Sequence, residues 1–257
     1  FFSYIVVAFI SNPDWIVVLT NTFIPQIELT SEFLVMAVGL LGATVSPYIY
    51  YYYTSAELET NKTDVDDARF DARLGGLWSN IISYFIIVAA ATVLFTAGVT
   101  NIATAKDAAL ALRPLAGEFA FLLFSIGLFS ASMIATAVLP MSTSYAVTET
   151  FGLESGVDKK TKEAPVFYGI FTASLILGAL ITIIGFDPIQ MMFFSMVLSG
   201  LLTPILIYLL VKMCNDETVL DKKHINGFVT NFFGWLTVIV SVCLILSMFA
   251  SMIFGLF

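Results

Sequence analysis

Charge is scarce in this sequence. Asp, Glu, Lys and Arg make up 12% of its 257 residues, histidine occurs once and cysteine twice, while 59% of the residues are hydrophobic. So little charge cannot cover a water-facing surface, and a mean hydropathy of +0.94 places the chain in the membrane class. The titratable residues avoid the middles of the apolar runs, which excludes an intramembrane proton relay or a buried catalytic carboxylate in this stretch. His224 stands beside Lys222 and Lys223 in a loop and reads as solvated. Cys214 and Cys243 lie in different segments without metal-ligand spacing, so neither a disulfide nor a thiolate metal site is expected. The sequence has no phosphate-binding loop, serine nucleophile elbow or metalloprotease motif, so it does not read as an enzyme and no cofactor is expected. Phe1 to Ile10 lacks the basic flank of a cleavable signal peptide.

Long uncharged runs are what the sequence has in quantity. A helix rises 1.5 Å per residue and the hydrocarbon core is about 30 Å thick, so roughly 20 apolar residues make a crossing. Runs near 33–55, 77–105, 119–148, 164–186, 188–211 and 225–257 are each long enough, and a shorter one covers 1–13. An all-α polytopic membrane protein of one transmembrane domain over 1–257 is therefore expected. The opening run, which stops at Asn12-Pro13-Asp14-Trp15, reads as the tail of a seventh helix, and the chain reads as a fragment at both ends.

The few cations fix an orientation. Lys62, Arg69, Arg73, Lys159, Lys160, Lys162, Lys212, Lys222 and Lys223 follow the second, fourth and sixth runs, whereas the intervening loops hold only Lys106 and Arg113. The positive-inside bias places Glu57 to Arg73, Glu149 to Glu163 and Lys212 to His224 in the cytoplasm, with the start of the chain on the same side. Glu57 to Arg73 lacks the glycine and terminal glutamate of a calcium loop and reads as a solvated face.

Interruptions in two runs are the candidate working parts. Gly39, Gly42, Ser46 and Pro47 interrupt the middle of the second run, and proline removes a backbone donor while clashing with the preceding turn. A break at Thr44 to Pro47 is expected there; the plainer alternative is a proline kink made for packing. Non-helical backbone at membrane depth persists only inside protein or beside a water-lined cavity, so the break marks a site. Tyr48, Tyr50, Tyr51, Tyr52 and Tyr53 follow, suited either to a pore or to the interfacial aromatic belt. Ser199-Gly200 with Thr203-Pro204 reads as a second interruption, and two broken helices suit a transporter. The hydroxyls of the fourth run, Ser125 to Ser144, suit helix packing or substrate contact.

Gly39-Leu40-Leu41-Gly42-Ala43-Thr44-Val45-Ser46-Pro47-Tyr48, followed by Thr54-Ser55-Ala56, resembles the sixth helix of the NRAMP family, which usually reads G-A-T-x-M-P-H. Asn12-Pro13-Asp14-Trp15 is similar to the end of that family's fifth helix, and Arg113-Pro114-Leu115-Ala116-Gly117 to the lead into its eighth. The resemblance spans nearly the whole chain and implies a partial LeuT-like fold of inverted repeats, here without the first four helices. It implies a metal held between the broken first and sixth helices, with the Asp and Asn of a D-P-G-N motif lying outside this chain. By position, Ala43 would offer its carbonyl, Ser46 stands where the family has a metal-binding methionine, and Tyr48 and Tyr53 stand where it has two histidines on the proton route. Thr44 and Pro47 complete the break.

Oxygen in place of a thioether suits hard ions such as Mg²⁺ or Mn²⁺, and the resemblance points to a divergent branch similar to NRAMP-related magnesium transporters. Without imidazoles the proton route loses groups that titrate near neutral pH. The expected function is transport of divalent metal cations across the cell membrane by alternating access around Ala43 to Pro47, with the cation and the lipid bilayer as partners and no nucleic acid. One alternative is a sodium-coupled amino-acid carrier of the same architecture. Another is a non-transporting seven-helix receptor, opposed by the inside start and by the lack of a lysine in the last run.

Overall fold

The computed structural model describes residues 2–24, 30–60, 65–95, 98 and 105–254. Along them run α1 (Phe2–Ile10), α2 (Trp15–Phe23), α3 (Ser31–Thr44), α4 (Pro47–Thr60), α5 (Val65–Ala90), α6 (Ala105–Thr150), α7 (Pro165–Ile184), α8 (Pro188–Met213) and α9 (Phe228–Phe254). A π-helix, Ala91–Phe95, extends α5, and a short 3₁₀ turn, Lys222–His224, precedes α9. No strand occurs among the described residues.

Local chemistry sets several boundaries. Asp14 caps α2 by accepting from the Ile16 and Val17 amides at 3.0 and 3.3 Å, and the Thr30 hydroxyl accepts from Phe33 at the head of α3. Pro165 opens α7, where its missing N–H costs nothing, and Gly185 closes it at φ 98°, a left-handed conformation that glycine adopts without strain.

Five helices are long and apolar enough to cross a membrane: Asp67–Leu94, Phe121–Thr150, Pro165–Ile184, Pro188–Met213 and Phe228–Ile253. Their outward surface is apolar, with Ile183 78% and Phe228 86% exposed. Such side chains suit lipid and not water, and the molecule is a multi-pass membrane protein. Together with the broken α3 and α4 they form an all-α architecture consistent with a polytopic LeuT-like fold.

The structure has the expected break at Thr44 to Pro47: the run over 33–55 is two 14-residue helices, because the chain leaves the helical path at Val45 and Ser46. Three other expectations are revised. The supposed loop Glu57 to Arg73 is largely helix, since α4 continues to Thr60 and α5 already begins at Val65; residues 61–64 lie outside the described ones. Glu, Lys and Arg are good helix formers and Asp suits a helix's first turn, so a helix need not end where its hydrophobicity does. For the same reason α6 starts at Ala105, not near 119, and takes in Lys106, Arg113 and Pro114; its 46 residues reach roughly 70 Å at 1.5 Å each. The second interruption is absent: α8 is continuous from Pro188 to Met213 with Pro204 inside it.

Two compact units divide the chain. One comprises Phe1–Gln26 and Tyr51–Ile189, the other Ile27–Tyr50 and Gln190–Phe257. In the first, Val7 and Ala8 of α1 pack on Val88 and Ala89 of α5 and on Val93. A second cluster there is aromatic: Tyr145 and Phe167 are buried with ring centroids 4.8 Å apart, and Tyr52 packs against them. These rings also hold the connection between α6 and α7, as Val157 N–H donates to the Tyr145 hydroxyl and the Tyr168 hydroxyl donates to the Lys159 carbonyl at 2.8 Å. On that connection the hydrogen bond from Lys159, and then its charge, hold the Glu154 carboxyl below the usual carboxylate range.

In the second unit Leu34 and Val38 of α3 pack on Met248 of α9, and the Ser31 and Ser251 hydroxyls meet at 2.5 Å. Asn215 and Asn231 exchange side-chain amide bonds of 2.6 and 2.8 Å, stapling the end of α8 to the first turns of α9.

Candidate functional site

The break between α3 and α4 lies in the second unit, and an account of its backbone groups shows what it offers. A helix end leaves its last carbonyls without intrahelical donors. Val45 N–H closes α3 on the Leu41 carbonyl at 2.9 Å, with Val45 at φ −111° and ψ 83°, off the helical path. Pro47 has no N–H to offer the Ala43 carbonyl, and the residue before a proline is steered out of the helical region, so helix cannot run straight through Ser46. The Ser46 carbonyl accepts from Ile49 at 3.1 Å as α4 begins.

Side chains supply part of what the backbone lost. The buried Ser46 hydroxyl lies 3.2 Å from the Gly42 carbonyl oxygen and 3.3 Å from that of Ala43. It has one proton, so it satisfies one of them at a time while keeping two lone pairs for other partners. From α8 the buried Thr203 hydroxyl reaches the Val45 carbonyl at 3.3 Å and the Ser199 carbonyl of its own helix at 2.9 Å, again with one proton between two acceptors. Among the described residues, the Gly42, Ala43 and Val45 carbonyls draw on two hydroxyl protons, one of them shared with Ser199, so the end of α3 gathers more acceptor oxygen than donor hydrogen there.

Two glycines bring α8 this close. A Cβ on Gly42 would stand 2.0 Å from the Met196 carbonyl oxygen and 2.3 Å from the Gly200 nitrogen, and one on Gly200 would stand 2.2 Å from the Val38 carbonyl oxygen. The helices touch backbone to backbone, a contact only glycine permits.

Of the residues expected at the site, Ala43, Thr44 and Ser46 fall together at the end of α3 and Pro47 follows as the first residue of α4. Thr44 is exposed and turns its hydroxyl onto the Leu40 carbonyl at 2.8 Å. Tyr48 lies in the first turn of α4, and the Pro47 and Tyr48 side chains lie outside what is described. Tyr53 belongs to the other unit, exposed on α4, with its ring against Tyr52 at 5.8 Å. Thr203 was missed as a site residue: its pairing with Pro204 signalled an interruption, but no local pattern tells which carbonyl a hydroxyl reaches across helices. Among the described residues no three His, Cys, Asp or Glu side chains gather to hold a metal ion.

Residues 1–251 match the family model described as Nramp, natural resistance-associated macrophage protein-like. The chain is similar to the divalent metal cation transporter MntH of Caldanaerobacter subterraneus subsp. tengcongensis, with 25% identity over 222 residues, 83% of this chain and 50% of that protein. It is similar to the protein of the same name from Clostridium acetobutylicum at 24% identity over 238 residues, 89% of this chain and 51% of the relative. With that of Vibrio campbellii it shares 30% identity over 111 residues, 42% of this chain and 26% of the relative. The chain spans about half the length of the first two of these relatives.

Proposed function

The chain belongs to the natural resistance-associated macrophage protein-like family, and from that premise we propose that its full-length protein carries divalent metal cations across a membrane, with Ala43 and Ser46 among the groups that hold the ion. The observation that carries the reading is the surplus of acceptor oxygen at the end of α3, where the Gly42, Ala43 and Val45 carbonyls share too few protons. The C-terminus of a helix carries about half a negative elementary charge, which adds to the attraction for a cation. Every donor in this set is an oxygen. Hard ions such as Mg²⁺ or Mn²⁺ fit it better than soft ones, which supports reading the chain as a divergent branch similar to NRAMP-related magnesium transporters. Two half-helices meeting at a break provide the hinge that alternating access needs, with Thr44, Pro47, Tyr48 and Tyr53 along the path.

Flux measurements on the full-length protein in proteoliposomes test this. Uptake of Mn²⁺ or Mg²⁺ that saturates with concentration and weakens in Ser46→Ala is the expected result. Sodium-driven amino-acid uptake without cation flux, or no transport at all, would overturn it in favour of a carrier or a receptor.

A further inference from the structure

We propose that Thr203 is a positioning residue for the break: by donating to the Val45 carbonyl it fixes the peptide joining the two half-helices and so sets how tightly the break holds a divalent cation. The proposal rests on the function proposed above and extends it to a residue of α8. Four observations meet at this position. Thr203 is completely buried, so its hydroxyl has no recourse to water. The hydroxyl is 3.3 Å from the Val45 carbonyl oxygen, across 158 residues of sequence. It sits one turn beyond Gly200, as Val45 sits one turn beyond Gly42, so the backbone contact of the two glycines aims it at the end of α3. Pro204 has no N–H for the Gly200 carbonyl, which removes one hydrogen bond from α8 beside the contact.

The physical consequence concerns geometry more than ligation. Val45 is the residue at which the chain leaves α3, at φ −111° and ψ 83°, and its carbonyl belongs to the peptide that leads into Ser46. A hydrogen bond on that oxygen fixes the rotation of the peptide, and with it the approach of Ser46 to the Gly42 and Ala43 carbonyls. Losing it leaves a half-buried acceptor free to turn, and the oxygens the cation needs lose their preorganised arrangement.

Titration of Mn²⁺ into the purified full-length protein tests the assignment. Thr203→Val keeps the shape and removes the proton; Mn²⁺ affinity should fall about three- to ten-fold, the worth of one neutral hydrogen bond. Thr203→Ser should restore affinity to within about two-fold of the original, because it returns the donor. Ser241→Ala is the control, since that buried hydroxyl bonds the Thr237 carbonyl of its own helix at 2.6 Å, and it should leave affinity unchanged. If Thr203→Val does not fold, Thr203→Ala takes its place. Unchanged affinity in Thr203→Val, failure of Thr203→Ser to restore it, or an equal loss in Ser241→Ala overturns the proposal. Amide hydrogen exchange over residues 41–50 is measured on the same proteins and needs no metal. Faster exchange in Thr203→Val than in Thr203→Ser is expected. A wild type that binds no divalent cation defeats the proposed function and the effect of Thr203 on cation affinity; the positioning of the break by Thr203 then stands if that exchange difference persists and falls if it does not.

Discussion

Ser46 holds one proton against two carbonyls and keeps two lone pairs for whatever positive charge approaches. A cation at the break would compete with that proton for the Ala43 oxygen, and the hydroxyl could rotate to present its lone pairs instead. Ser46→Met replaces this hard oxygen by a polarisable thioether, so the Cd²⁺ to Mg²⁺ affinity ratio of the full-length protein should rise about ten-fold, equivalent to ~1.4 kcal/mol. Methionine would also fill room that a partly hydrated Mg²⁺ needs. Titration of both ions decides: a residue that only caps α3 predicts equal losses for the two metals, and an unchanged ratio would remove Ser46 from the ion's surroundings. A second expectation concerns Tyr48 and Tyr53, which stand where imidazoles would titrate near neutral pH. Mn²⁺ entry into liposomes should leave the lumen's pH unchanged, as read by an enclosed indicator dye, and acidification coupled to uptake would contradict it.

Between α3 and α8 the decisive feature is the absence of two side chains. Gly42→Ala would drive a methyl group into the Met196 carbonyl oxygen and the Gly200 nitrogen, and backbone atoms cannot rotate away as a flexible side chain could. The helices would have to separate. Overpacking typically costs about 1–3 kcal/mol, so the midpoint of thermal unfolding in detergent should drop clearly, and with it the Thr203 to Val45 bond. Gly178→Ala is the contrast, because a Cβ there meets nothing and alanine favours helix by about 1 kcal/mol. A Gly42→Ala protein as stable as the original would refute the contact. Such pairings show which parts of the molecule were legible in the sequence. The break at Thr44 to Pro47 was, because a proline without an N–H and a steered preceding residue act locally. The same local signs at Thr203-Pro204 misled, since α8 stays continuous there and packs its Gly200 against α3, a tertiary fact with no local signature. The starts of α5 and α6 were illegible for another reason: hydropathy marks where a helix becomes apolar, not where it begins.

At the scale of the whole molecule, the direction of each helix ties the charge pattern to the fold. Gly39 faces Phe193 and Val197, Gly42 faces Met196 and Gly200, and Val45 meets Thr203, so α3 and α8 advance together and run the same way. The distribution of Lys and Arg requires this sense of both, since it sends the second and sixth runs from outside to inside. The same distribution predicts that the connection between α6 and α7 faces the cytoplasm. That segment makes a defined target, because the Tyr145 and Tyr168 hydroxyls hold its backbone while Thr161 stays exposed. In a background with Cys214 and Cys243 replaced, Thr161→Cys in intact cells should resist a membrane-impermeant maleimide and react once the cells are permeabilised. Rapid labelling from outside would invert the orientation.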